Sequence, residues 1–259
     1  MCFDSSIRGN LLRQKGIVIQ IVTISFFRFE ALSTRLWAFT MMGIARVEMS
    51  RIPNLDFWKL CGSGTGEGFT PRPNTAVYAI LCVWPNLETA EKQLKKSKVF
   101  DKYRKKSNEN WTIFLGPASV RGEWAGKKPF DADHNLDDGP IAALTRATIK
   151  PSVALRFWKH VPAISKVIGK NNDVMFKIGI GEVPFFHQIT FSIWPDVNAM
   201  AEFARRDGPH ARAIESVRKG LWFKEELYAR FKVIDTKGTW NGNNPISCLL
   251  YTSPSPRDY

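Results

Sequence analysis

Short motifs in this sequence return in the same order about a hundred residues later. Repeats of that length indicate a duplicated structural unit. The chain of 259 residues is therefore interpreted as two homologous halves, residues 17–127 and 139–240, joined by a polar, turn-rich linker at residues 128–138. The repeated motifs are Phe57-Trp58-Lys59 with Phe157-Trp158-Lys159, Gly64-Thr65-Gly66-Glu67 with Gly179-Ile180-Gly181-Glu182, and Val83-Trp84-Pro85-Asn86 with Ile193-Trp194-Pro195-Asp196.

Each half has the same predicted order of secondary structure. A strand and a helix precede the G-x-G-E turn, and an alternating strand, a second helix and a last strand follow it. This order is typical of the β-α-β-β-α-β ferredoxin-like unit. We therefore predict an α+β fold of two tandem ferredoxin-like βαββαβ repeats, packed as a pseudo-twofold α+β barrel. The segments include residues 17–29, 32–49, 87–105 and 111–115 in the first half, and 141–149, 152–168, 197–219 and 227–233 in the second.

The two ends of the chain differ in character from the rest. Residues 1–16 have a charged region but no convincing cleavage site, so they are interpreted as a disordered N-terminal extension and not as a signal peptide. From Pro245 onward the sequence has no hydrophobic periodicity, and residues 241–259 are interpreted as a non-native tail outside the fold. A native disordered tail is the alternative.

The charge of the chain favours an anionic partner. Lys and Arg number 37 against 24 Asp and Glu, a formal net charge of +13. Such a balance fits nucleic acid, an acidic membrane face or an acidic electron-transfer protein. The predicted strands lack the aromatic and basic pattern with which RNA-recognition modules stack bases, so no nucleic-acid partner is expected. The basic run at residues 92–106 has helical spacing and is interpreted as a solvated helix face.

Cysteine and glycine spacing exclude several other classes of site. The cysteines at positions 2, 61, 82 and 248 form no CxxC pair, which argues against a zinc site or a disulfide framework and fits a cytoplasmic setting. The glycine-rich residues 62–68 lack the Lys-Ser/Thr of a phosphate-binding P-loop. No apolar run reaches the length that a membrane-spanning helix needs.

Two arginines lie on predicted apolar strand faces. Alternation places Arg28 on the same face as Phe26, and Arg146 on the same face as Leu144, at what we interpret as equivalent positions in the first strand of each half. A buried arginine needs a partner, because an unpaired buried charge is costly. That partner is either a protein carboxylate or an anionic ligand, and the residues leave both alternatives open.

Four histidines are candidate metal ligands. His134 lies in the linker and His187 at the start of a strand, and both are interpreted as incidental. His160 lies in a predicted helix. His210 follows Gly208-Pro209, and its neighbours at i+4 and i+7 are apolar, so it is expected to point inward, where a core histidine is the simpler interpretation.

Taken together, long stretches of both halves resemble the spheroidene monooxygenase family of carotenoid biosynthesis. The resemblance covers about residues 17–240. It is carried by Phe26-Phe27-Arg28-Phe29, Phe57-Trp58-Lys59, residues 62–73, 141–148, 176–184 and 188–196, Gly208-Pro209-His210, and residues 222–231.

The resemblance implies a haem-containing monooxygenase that hydroxylates, and by repetition at one carbon ketolates, an acyclic carotenoid. Dioxygen and reduced ferredoxin would be the co-substrates, and the protein would be cytoplasmic or peripheral on the inner membrane face. In such an enzyme the haem iron needs one axial ligand from the protein. His210 is the first candidate and His160 the second. Arg28 and Arg146 would bind haem propionates or polarise iron-bound oxygen. The alternative is a non-monooxygenase haem protein on the same barrel, dehydratase-like or haem-handling.

Overall fold

The computed structural model describes residues 19–66, 70–136, 139–159, 174–205 and 222–246. The strands are β1 (Ile21–Arg28), β2 (Phe57–Gly64), β3 (Pro73–Trp84), β4 (Glu109–Gly122), β5 (Ile141–Ile149), β6 (Phe176–Gly181), β7 (His187–Trp194) and β8 (Phe223–Gly238). The helices are α1 (Leu32–Met49), α2 (Leu87–Lys96), α3 (Lys98–Lys106), α4 (residues 154–159, after a 3-10 turn at Pro151–Val153) and α5 (Val197–Arg205).

The strands form one closed antiparallel barrel in the order β1-β3-β2-β6-β7-β5-β8-β4. The first half contributes β4-β1-β3-β2 and the second β8-β5-β7-β6, which is the strand order of the ferredoxin-like unit in each case. The two sheets join where β2 pairs with β6, with Gly62 opposite Gly181, and where β4 pairs with β8. The predicted α+β barrel of two tandem units is therefore confirmed.

The interior of the barrel is a packed core. Alternate residues of every strand point inward, and their large side chains interlock across the barrel. The Phe176 ring lies 4.8 Å from that of Trp111 and 5.4 Å from that of Phe26, between ring centroids. Much of the aromatic content of the sequence is therefore used to fill the barrel.

Helices α1, α2 and α3 cover the outer face of the first sheet. Tyr103 of α3 packs on Phe27 of β1, with ring centroids 5.0 Å apart, and Trp84 of β3 is fully buried. The predicted helix at residues 32–49 has the bounds of α1. The predicted helix at 87–105 is divided at Ser97, whose backbone is extended, into α2 and α3.

Strand register shows which repeated motifs correspond. Ile21 pairs with Trp84 and Ile141 with Trp194, so the two Trp-Pro motifs are equivalent, as predicted. The Phe-Trp-Lys match is wrong, because Phe57 begins a strand whereas Phe157 lies in helix α4. The G-x-G-E match is out of register as well. When β2 and β6 are aligned through their pairing with the equivalent strands β3 and β7, Gly62 corresponds to Gly181.

A further repeat becomes recognisable once the structure shows that its two copies occupy equivalent turns. Each half ends in a turn of the form G-x-W-x-G, Gly122 to Gly126 and Gly238 to Gly242. Gly122 has φ +96° and Gly238 has φ +91°, and an added Cβ at either would lie about 2 Å from a carbonyl oxygen of the partner strand. Only glycine fits such positions. The sequence contains this repeat, but its two copies share only two glycines and one tryptophan, which are too few to identify it without the structure.

The ordered chain continues past the predicted boundary at residue 240. Ile246 is fully buried in the barrel core, and the Asn244 side chain donates to the Thr236 hydroxyl at 2.8 Å. Residues 241–246 therefore belong to the fold and not to the tail. The predicted N-terminal extension and the rest of the tail lie outside the described residues.

Candidate functional site

Arg146 lies at the centre of an ion-pair cluster at one end of the barrel. Its side chain is only 2 % exposed. It pairs with Glu225 and, at 3.9 Å, with Glu182, and its guanidinium lies 5.7 Å from the ring centre of Trp124. A charge buried to this degree is stable only when carboxylates neutralise it.

Glu182 collects hydrogen bonds from three other side chains. Lys59 Nζ lies 2.9 Å away, His187 Nδ1 lies 3.2 Å away, and Trp124 Nε1 donates at 3.1 Å. Burial alone would raise the pKa of this carboxyl, but the bonds from His187 and Lys59 outweigh it and lower the pKa to about 2. Glu182 is therefore ionised throughout the physiological range.

The Trp124 turn holds the second carboxylate of this cluster. The backbone N–H groups of Ala125 and Gly126 each donate to Glu225 at 2.8 Å. Burial opposes these bonds, yet together with Arg146 they lower the pKa of Glu225. Because the turn belongs to the first half and Glu225 to the second, this contact joins the halves.

The other end of the barrel repeats the arrangement in simpler form. Glu109 accepts a bond from the Gly242 N–H at 2.7 Å and pairs with Arg28 at 3.3 Å. Arg28 also donates to Asn241 Oδ1 at 2.6 Å and stacks over Trp240 at 4.4 Å. Burial raises the pKa of Glu109, but the backbone bonds and Arg28 lower it overall. Here the turn comes from the second half and the carboxylate from the first.

Both arginines point to the barrel interior, as alternation predicted, but they are not equivalent. The strands β1 and β5 can be aligned through their pairing with β3 and β7. In that alignment Arg146, which lies opposite Ile189, corresponds to Phe26, which lies opposite Ala79. Arg28 corresponds to Thr148. The partner found for each arginine is a protein carboxylate, one of the two alternatives left open by the sequence. Their assignment to propionates or to bound oxygen stays a prediction.

The candidate iron ligands His210 and His160 lie outside the described residues. His187, interpreted as incidental, belongs instead to the Glu182 network. His134 lies against Gly116, and burial lowers its pKa. Within the part of the chain that the structure describes, no group of three or more His, Cys, Asp or Glu side chains is placed to hold a metal ion.

The outer face of the second sheet is lined by small side chains. One row runs across it from Gly179 through Thr190 to Thr145, and the next holds Ala147. The corresponding residues of the first sheet are Leu60, Ile80, Ser25 and Phe27, most of them large. A third row carries a cation on each side, Lys177 on β6 and Arg230 on β8.

A cavity of about 240 Å³ lies over the join between β2 and β6. Gly62 and Gly181 form its floor, and Tyr78 and Gln188 flank them on the neighbouring strands. Its walls are mainly apolar and come from both halves, including Phe39 and Met42 of α1, Trp158 of α4, and Pro184 and Phe185 of the loop between β6 and β7. An apolar cavity with a few polar groups is typical of a ligand site.

The fold places the chain in a known structural class. No protein-family model matches the chain. Two solved aldoxime dehydratases share its architecture. One, in complex with butyraldoxime, has a TM-score of 0.57 at 8% identity, over 86% of this chain and 82% of that one. The other has a TM-score of 0.58 at 10% identity, over 86% and 84%. At such identity the likeness shows the fold alone, an α+β barrel built within one chain.

Curated relatives identify the family. The chain is 50% identical over 239 residues to spheroidene monooxygenase of Cereibacter sphaeroides, covering 92% of this chain and 74% of the relative. It is 45% identical to that of Rhodobacter capsulatus, over 88% and 95% of the two chains. Identity to that of Rubrivivax gelatinosus is 32%, over 81% of each. The chain therefore belongs to the spheroidene monooxygenase family, as the sequence motifs predicted, and it is a monooxygenase.

Proposed function

We propose that the protein is a haem-dependent monooxygenase that hydroxylates, and on repetition ketolates, an acyclic carotenoid similar to spheroidene. Dioxygen and reduced ferredoxin are the co-substrates. The observation that carries the substrate class is the 50% identity to a relative named for spheroidene. The small side chains on the outer face of the second sheet support a proposed position for the cofactor.

The outer face of the second sheet suits a flat, hydrophobic ring. Neighbouring strands lie about 4.8 Å apart, so the three strands β6, β7 and β5 present a surface about 10 Å wide, comparable with a porphyrin. Gly179, Thr190 and Ala147 raise no bulky side chain above it. In the first half the same positions are filled by core residues. Lys177 and Arg230 at its two sides supply positive charge for propionates.

Haem bound there would supply the activation of dioxygen that a monooxygenase requires. The chain's own contribution would be to hold and orient it. His210 is the residue proposed to hold the haem iron, and His160 is the alternative; both lie outside the described residues. The small residues of β5 and β7 would let the ring approach the sheet. Arg28 and Arg146 lie on the opposite side of the sheets, inside the barrel, where they pair with Glu109 and Glu225. A haem on the outer face would therefore leave the predicted propionate and oxygen contacts to residues other than these two arginines.

The basic face of α2 and α3 suits an acidic electron donor. The exposed cations there include Lys92, Lys95, Lys96 and Lys98. A surface of one sign steers an oppositely charged partner and speeds its association. In the described residues no helix is long and apolar enough to cross a membrane. We propose a cytoplasmic protein that contacts the inner membrane face peripherally, where an apolar carotenoid dissolves.

One other function has a specific observation in its favour. The fold match to two aldoxime dehydratases leaves room for a haem protein of the same barrel that is not a monooxygenase, either dehydratase-like or haem-handling. The two functions differ in their products. Of these two candidates, only the monooxygenase would add an oxygen atom from O2 to a carotenoid.

An absorption spectrum and a product analysis test the proposal in sequence. The purified protein, reconstituted with haem, is expected to show a Soret band that is altered by His210→Ala or, failing that, by His160→Ala. Absence of the band would reject haem, and an unchanged band in both variants would reject both ligands. Expression in a host that makes acyclic carotenoids is then expected to yield hydroxylated and keto products labelled from 18O2. A Soret band without labelled product would favour the dehydratase-like or haem-handling alternative.

A further inference from the structure

Helix α1 is apolar on both of its long faces. Ala38, Met41 and Ala45 pack on the first sheet. The opposite face carries Leu36, which is 63% exposed, and Phe39, which is 64% exposed, with Leu32 and Val47 on the same stripe. A surface helix normally turns polar residues to water, and an apolar outer stripe indicates a covering partner.

Most of the other large hydrophobic residues that are exposed in the described part of the chain lie on two elements that help to line the same cavity. Val183, Phe185 and Phe186 lie in the loop between β6 and β7, and Leu155 lies on α4. Phe39 and Phe185 both line the cavity, so the α1 stripe and this loop form one surface, which we call the apolar face.

The loop holds its aromatic residue in an unusual conformation. Phe185 has φ +69°, a region that bulky residues rarely adopt. Its carbonyl accepts a bond from Trp158 Nε1 at 2.9 Å, which fixes the loop against α4. Strain of this kind persists at functional sites where the surrounding structure maintains it. The conformation keeps an aromatic ring 46% exposed at the mouth of the cavity.

Positive charge surrounds the apolar face. Arg46 and Arg51 at the end of α1, Arg72 beside the cavity and Lys159 on α4 are all exposed. The acidic residue of α1, Glu48, is already paired with Lys102. Exposed apolar side chains ringed by cations are the combination that binds the interface of a membrane containing anionic lipids.

We propose that the apolar face docks on an anionic lipid bilayer, and that the cavity opening on it receives the end of the apolar substrate from the membrane. The identity of that substrate rests on the proposed function, whereas bilayer binding does not. A cavity of about 240 Å³ holds a terminal segment of a long polyene and leaves the remainder along the apolar face. Because both halves supply walls of the cavity, the proposed entry for the substrate lies where the two halves join.

Vesicle co-sedimentation tests the docking. The full chain is expected to bind vesicles of phosphatidylcholine with phosphatidylglycerol, and the double variant Leu36→Ser/Phe39→Ser to bind at least about tenfold more weakly, since two exposed apolar side chains are lost. Lys95→Gln/Lys96→Gln on α2 removes two exposed cations away from the face and is the control, with less than about twofold loss. Failure of the unaltered protein to bind, or equal loss in both variants, would overturn the proposal. So would conversion of a dimer to a monomer by the serine variant, because the occupant would then be a second copy.

A pair of glycine variants tests the cavity. A Cβ added at Gly62 or at Gly43 meets no atom within 4 Å, so both positions accept a larger side chain. Gly62→Leu fills the cavity, whereas Gly43→Leu adds the same side chain to the apolar stripe of α1 outside the cavity, so quenching is compared at equal amounts of vesicle-bound protein. Quenching of tryptophan fluorescence by an acyclic polyene in the vesicles is expected to fall at least about fivefold for Gly62→Leu alone. Equal quenching in the two variants would contradict the cavity assignment.

These measurements need neither haem nor turnover, so they separate the two proposals. Loss of the Soret band or of labelled product with vesicle binding intact would reject the proposed function and leave the docking surface standing. Circular dichroism melting of each variant checks that it is folded. A leucine variant at position 62 that does not fold is replaced by Gly62→Val, which takes the same space with one methylene fewer.

Discussion

The two halves of this barrel share a backbone and an interior but differ on their outer faces. Trp84 and Trp194 occupy the same position in the two halves, and most inward residues of both halves are apolar, the two arginines excepted. On the outside, Leu60, Ile80 and Phe27 of the first half are replaced by Gly179, Thr190 and Ala147. The interior is constrained because both halves must close one barrel. The outer face is free to specialise, and the small residues leave the second half able to hold a cofactor where the first has core.

The two barrel ends show a similar division. Each has a glutamate bound by the turn of the other half and an arginine bound by that glutamate. At the Arg28 end the cation is 29% exposed and meets one carboxylate. At the Arg146 end the cation is 2% exposed and meets two carboxylates, one of which, Glu182, also binds Lys59 and His187. The more buried cluster has more to lose when one member is removed.

The largest expected effect separates the two arginines. Arg146→Ala leaves two carboxylates without their shared cation and is expected to lower the free energy of unfolding by about 3–5 kcal/mol. Arg28→Ala removes a partly exposed pair and is expected to cost about 1 kcal/mol. Urea unfolding followed by tryptophan fluorescence measures both. Equal losses would show that the two ends are energetically alike.

The glycines that begin the two tryptophan turns are expected to behave alike. Gly122→Ala and Gly238→Ala each place a Cβ about 2 Å from a backbone oxygen at positive φ. Each is expected to lower the free energy of unfolding by about 2–4 kcal/mol. The same substitution at Gly126, also at positive φ but with open space around a Cβ, is the control and is expected to cost about 1 kcal/mol. A difference between Gly122 and Gly238 larger than the control effect would argue that the turns are not equivalent.

Acid is expected to weaken the Arg146 end through Glu182. Its pKa is about 2 in the fold and near 4.5 in the unfolded chain, so its stabilisation is complete above about pH 4.5 and is lost as the pH falls toward 2. The expected loss is on the order of 2 kcal/mol. Urea midpoints measured from pH 6 to 3 should fall less steeply for Glu182→Gln than for the unaltered protein. Parallel slopes would contradict the role of this carboxylate.

The sequence predicted the fold well because its strongest signals are those of the barrel. Alternating strands ending at Trp-Pro and a helix at residues 32–49 are local patterns, and the duplicated Trp-Pro motif set the two halves in register. Equivalence of Arg28 and Arg146 failed because β1 and β5 differ by two residues in register, which only pairing with β3 and β7 reveals. The Glu182 network was missed because Lys59, Trp124 and Glu182 are brought together by the closure of the barrel.

Haem binding by a matched pair of variants tests the central claim, that the outer face of the second sheet is the functional one. Ala147→Phe/Thr190→Ile installs the first-half residues and fills the face. Thr145→Ser also installs a first-half residue, but that residue is small. We expect a Soret band at one haem per chain in the unaltered protein and in Thr145→Ser, and at least about tenfold weaker haem binding in the folded double variant. An undiminished Soret band in the folded double variant would contradict it.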